Sequence, residues 1–117
     1  MKKFFVLYIS LLICLPGTAK AEAFFNTLYD VPVMPGLAEV PDMALSFDKP
    51  DGRIAQAGAV AQDLSAESIY SFYAQSLRQL GWHTSQKNVY VREGERLEIS
   101  IRQNGQSSVI QFMLKPL

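Results

Sequence analysis

Between Leu64 and Trp82 the apolar residues recur at helical spacing, and beyond Trp82 the repeat shortens to two. Ile69, Phe72, Tyr73, Leu77 and Leu80 fall on one stripe of a helix expected from about Ala66 to Leu80. Ser65 is placed to cap its first turn, Glu67 complements the dipole there, and Leu64 stands where a hydrophobic staple to Ile69 forms. Gly81 supplies the left-handed residue that ends a helix cheaply, and Trp82 is set to fold back on Leu77. Downstream, Trp82–Gln86 and Val89–Arg92 are either one bent strand or a tight hairpin. Glu95–Arg102 alternates strictly, with Leu97, Ile99 and Ile101 inward and Arg96, Glu98, Ser100 and Arg102 outward. Asn104-Gly105 is a hairpin signal, and Ser107–Lys115 returns with Ile110, Phe112 and Leu114 on the core side.

Ahead of the helix, Ala44–Asp48 and Arg53–Gln62 read as strands joined by the turn Lys49-Pro50-Asp51-Gly52. The second strand sets Ala55, Ala57, Ala59 and Ala61 on one face, which permits close approach by another layer. The order β-β-α-β-β-β predicts a two-layer α+β domain, one helix packed on an antiparallel sheet.

The stretch from Leu28 to Ile54 holds four of the six prolines among apolar residues. Two readings stand for the extended Pro-rich segment 22–43. In one it is a strap over the body of the domain, 44–117. A core of those 74 residues alone rarely supplies more than ~3–5 kcal/mol, and Val31, Val33, Met34, Leu37, Val40 and Met43 would enlarge it. In the other it is a partner-recognition arm in polyproline-like conformation. Glu22–Thr27 is expected to be a frayed leader despite Phe24 and Phe25.

The amino-terminal residues change which composition matters. Met1-Lys2-Lys3 and the apolar run Phe4–Leu15, followed by Pro16-Gly17 and Ala19-Lys20-Ala21, have the layout of a cleavable signal peptide, residues 1–21, cut after Ala21. The apolar run is too short to cross a ~30 Å hydrocarbon core as a helix, so no membrane span is expected after cleavage. Lipidation of Cys14 would ask for a small residue before it, where Ile13 stands. The mature chain keeps eleven acidic and eight basic residues, a net charge of −3, and no cysteine. That excludes a disulfide and gives no footprint for nucleic acid. The expected location is the periplasm or the exterior.

The helix end FYAQSLRQLGW, followed by short alternating strands, resembles small exported bacterial proteins of uncharacterised function that carry an FYxxxLxxLGW helix end. The resemblance runs from about Leu28 to Leu117 and rests on packing residues. It implies a periplasmic or envelope-associated single domain and brings no catalytic residues.

The chain offers little for chemistry. His83 is the only histidine, so neither a histidine metal pair nor a hydrolase triad has a second member to support it. Asp48, Asp51 and Asp63 lack calcium-loop spacing, Met34, Met43 and Met113 read as core fillers, and Gly94 and Gly105 belong to turns rather than a phosphate loop. No cofactor or metal is expected, and the protein reads as non-enzymatic. The densest charge cluster, Arg92, Glu93, Glu95, Arg96, Glu98 and Arg102, is the candidate partner surface on a solvated sheet face, and Tyr70, at the helix edge beside Tyr73, is a further candidate.

Two function classes follow. The first is a binding or accessory protein that contacts an envelope protein. The alternative is a carrier or sensor holding an apolar small molecule between helix and sheet, in a pocket lined by Phe72, Trp82 and Phe112.

Overall fold

The computed structural model describes residues 23–117; the expected signal peptide, its cut after Ala21, Cys14 and Glu22 lie outside them. One helix, Ala66–Gln79 (α1), lies against an antiparallel sheet of seven strands. The strands are Leu37–Glu39 (β1), Leu45–Lys49 (β2), Gly52–Gln62 (β3), His83–Gln86 (β4), Val89–Arg92 (β5), Glu95–Asn104 (β6) and Ser107–Pro116 (β7). Across the sheet β3 is followed by β7, β6, β5 and β4, and both β1 and β2 pair with the outer edge of β3. The fold is therefore α+β, as the periodicities indicate. Two features go beyond the expected order: a short strand precedes it, and residues 83–92 form a hairpin rather than one bent strand.

The helix ends as its sequence directs. Ser65 Oγ accepts the Ser68 amide at 3.0 Å. At the other end Trp82 N–H donates to Leu77 O and Gly81 N–H to Arg78 O, with Gly81 at φ +94. This double bond is the Schellman arrangement that glycine at C′ permits. Ile69, Tyr73 and Leu77 are fully buried, whereas Phe72 is half-buried and Leu80 exposed, so the apolar stripe is narrower than its sequence suggests.

The Pro-rich segment is packed on the body, and the expected frayed leader is not frayed from Ala23 onward. Phe25 N–H donates to Val31 O and Val33 N–H to Ala23 O, closing a loop that places Phe25, Leu28 and Val31 in the core. The physical reason lies in β3. Its alanine face, Ala55 to Ala61, is flat, and large side chains from elsewhere must fill the space above it; Phe25 does so, with its ring 4.8 Å from that of Phe112 on the neighbouring strand.

Past this loop the chain completes the edge of β3 in two pieces. β1 pairs Leu37–Glu39 with Ala59–Ala61, and β2 pairs Leu45–Lys49 with Gly52–Gln56. The 3-10 turn Pro41–Met43 steps between them, with Val40 N–H bonded to Gly58 O. Met43 lies directly over Gly58, where an added Cβ would come within 2.4 Å of the Met43 sulfur and 2.7 Å of its Cβ. Gly58→Ala is accordingly expected to destabilise by ~1–3 kcal/mol through overpacking. A urea midpoint would report it, and the pair Gly58→Ala/Met43→Ala should recover part of the loss; an unchanged midpoint in the single variant would show that the turn yields freely.

Candidate functional site

The strict alternation of β5, β6 and β7 divides the charged residues between two faces. Leu97, Ile99, Ile110, Phe112 and Leu114 point to the helix side and are buried. Arg92 is paired with Glu95 across β5 and β6 and, by alternation with Tyr90 and Leu97, shares that covered side. Arg96, Glu98 and Arg102 alternate onto the opposite, uncovered face, and Glu93 occupies the turn between β5 and β6 at φ +47. The charge cluster read as one surface is thus two. Parity alone carried that signal, since Glu95 lies two residues before the core residue Leu97.

On the covered side, at the end of the sheet, the amino-terminal loop delivers Asp30 between two arginines. Asp30 Oδ2 hydrogen-bonds Arg92 and stands 3.8 Å from Arg53, whose Nε donates to Glu95 Oε2 at 3.0 Å. Each guanidinium also lies over a ring: Arg92 over Trp82 at 4.4 Å and Arg53 over Tyr29 at 5.0 Å. Arg92 further donates to Leu80 O at the helix end. Hydrogen bonding to Glu95 holds the Arg53 guanidinium above its ordinary pKa, against the lowering effect of burial. Tyr29, Asp30, Arg53, Arg92 and Glu95 line a cleft of about 470 Å³ together with Asp51, Glu93 and Pro116. Because both arginines are engaged by carboxylates of the same chain, the cluster ties the amino-terminal loop, β3, β5 and β6 together. Asp30 carried no signal in the sequence, being an isolated acid in a segment without periodicity.

The space between helix and sheet is filled. The Tyr73 ring meets Phe112 edge-on at 5.0 Å, Phe72 meets Tyr73 edge-on at 4.9 Å, and Phe25 closes Phe112 from another side. Trp82 and Phe112 are at most 1% exposed, and Tyr70 is half-buried against the core. Of the residues proposed to line an apolar pocket, Phe72 and Phe112 both pack on Tyr73 and Trp82 lies under Arg92, while the clefts at the sheet end and on the uncovered face open elsewhere.

Compared with protein-family models, curated proteins and solved structures, the chain matches none. The site is therefore read from its own geometry.

Neither the helix nor the amino-terminal loop covers the second face of the sheet. Leu45 and Phe47 of β2 and Val60 of β3 are 48%, 46% and 36% exposed there, beside the half-buried Ile54, Val109 and Met113. Across the middle, Gln111 donates to Gln56 Oε1, and Gln56 donates to Met43 O, so the two amides hold each other flat on the sheet. Toward β5 the face becomes charged. Glu98 lies 2.9 Å from Arg96 Nε and 3.7 Å from Lys115 Nζ. Two adjoining clefts run along this region. The larger, about 420 Å³, is lined by Lys87, Glu98, Met113 and Lys115 among others, the smaller by Arg102 and Val109, and both share Ser100 and Gln111. Among the described residues no group of three or more His, Cys, Asp or Glu side chains is placed to hold a metal ion, and no helix is long and apolar enough to cross a membrane.

Proposed function

We propose that this is an exported, non-enzymatic binding or accessory protein that contacts an envelope protein through the uncovered face of its sheet. The observation that carries this reading is the contrast between the faces: one is buried beneath the helix and amino-terminal loop, while the other displays Leu45, Phe47 and Val60 to solvent. A solvated face of an antiparallel sheet is ordinarily polar, and a row of apolar side chains on it marks a surface that something else covers. The signal-peptide layout and the resemblance of the FYAQSLRQLGW helix end to small exported proteins support the envelope as the setting. The carrier alternative has less to support it, because binding between Phe72, Trp82 and Phe112 would first require that filled interior to open.

A photo-crosslinking residue at Phe47 or Gln111, compared with one at Gln75 on the exposed side of the helix, tests the reading in cells. Discrete adducts from the two sheet positions and none from Gln75 are expected. Adducts from Gln75 alone, or from no position, would set the proposal aside.

A further inference from the structure

The smaller cleft borders a gap in the sheet. Of β6, β5 covers only Glu95–Glu98, and just beyond it Ile99 N–H bonds to Asn88 O. From Ser100 to Asn104, β6 has β7 on one side and, among the described residues, no strand on the other. The turn Lys87-Asn88, with Asn88 at φ +62, marks where β5 starts and the free edge begins. Unpaired strand edges accept an added strand unless they are bulged, very short or charged against it. The outermost strand β4 shows such protection: its four residues are polar and its register shifts between Thr84 and Gln86.

Charge is also segregated here. The mature chain is acidic overall, yet Lys87, Arg102 and Lys115 line the two clefts on this part of the uncovered face against one carboxylate, Glu98. Glu98 is already shared by Arg96 and Lys115, whereas Arg102 and Lys87 have no carboxylate partner among the described residues. A strand added beside Ser100–Asn104 would present alternate side chains to the two faces. Those on the uncovered face would lie near Arg102 and Lys87; those on the other would lie beside the half-buried Ile101.

Resting on the binding role proposed above, we infer that the Ser100–Asn104 edge of β6 takes an extended segment of a partner protein in which acidic residues alternate with apolar ones. Backbone hydrogen bonds would supply affinity and the basic residues would select the charge and the register.

Two synthetic octapeptides, alternating Glu with Val and Lys with Val, titrated into ¹⁵N-labelled protein 22–117, test this. The acidic peptide is expected to shift the amides of Ser100, Arg102, Asn104 and Gln111 saturably, the lysine peptide not at all. Arg102→Glu and Lys87→Glu, both at exposed positions, should each weaken the response by about tenfold, equivalent to ~1.4 kcal/mol, while leaving the spectrum dispersed. Absence of shifts, equal shifts from both peptides, shifts confined to the β2 edge, or a response only to phosphatidylglycerol vesicles would each overturn the inference. If the crosslinks from Phe47 and Gln111 persist unchanged in Arg102→Glu, the binding role stands and this assignment of the partner falls.

Discussion

A chain beginning at Met43 is expected to show no cooperative thermal transition, whereas residues 22–117 melt cooperatively. Three side chains removed by that truncation, Phe25, Leu28 and Val31, are at most 1% exposed. Burial of each is worth ~1.5–3 kcal/mol, together ~5–9 kcal/mol, which is of the order of the whole ~5–15 kcal/mol stability of a small domain. Their loss would open the alanine face of β3 and leave the ring of Phe112 covered by Tyr73 but no longer by Phe25. It would also remove Asp30 from between Arg53 and Arg92, leaving two guanidiniums at the sheet end with one fewer carboxylate. Phe25→Ala alone should cost ~3–5 kcal/mol, the range for deleting a buried aromatic ring. Circular dichroism melts of the three chains decide the matter: a truncated chain melting like the full one would mean that the loop rests on a domain complete without it.

The helix and strands β5, β6 and β7 were legible because each is an amphipathic element whose period survives in the sequence; β4, four exposed polar residues, has no such period, which is why residues 82–92 read equally well as one bent strand. Ser65, Gly81 and Trp82 fix the two ends of the helix by local chemistry, and Gly105, at φ +67, fixes the last hairpin in the same way, although the loop is Gly105-Gln106 and Asn104 ends β6 paired with Ser107. The amino-terminal loop was not legible in that sense. Phe25, Leu28 and Val31 are spaced by three, yet the segment is neither helix nor strand, and its conformation follows from a distant surface, the alanine face of β3. The division of the charge cluster was legible in principle, by counting from Leu97 back to Glu95. Contiguity in sequence obscured it, since neighbouring residues of a strand belong to opposite faces. The free edge of β6 depends on β5 being shorter than its partner, a property of pairing that appears only once the register is known.

The same long-range dependence makes Tyr73 a side chain that ties helix to loop by hydrogen bonds as well as by packing. Its hydroxyl donates to Pro32 O at 2.7 Å and accepts the Met34 amide at 3.0 Å, within a fully buried environment. Tyr73→Phe keeps the ring and its packing on Phe112 but strands both backbone groups. At ~1–3 kcal/mol for each unsatisfied group, the variant should lose ~2–6 kcal/mol in urea unfolding at neutral pH. Burial also pushes the phenol well above the ordinary tyrosine value of 10.0, with the Met34 hydrogen bond opposing in part. Folding thus favours the neutral phenol. The stabilisation is complete below the pH at which an unfolded tyrosine ionises and is lost progressively as pH rises past it toward the folded value. The wild-type midpoint should therefore fall steeply above pH ~10. Tyr73→Phe should start lower and decline more gently, keeping some slope because burial raises Tyr90 as well. Parallel alkaline profiles for the two proteins would show that the hydroxyl does not couple the loop to the helix, and the packing of Phe25 on Phe112 would then have to hold the loop without it.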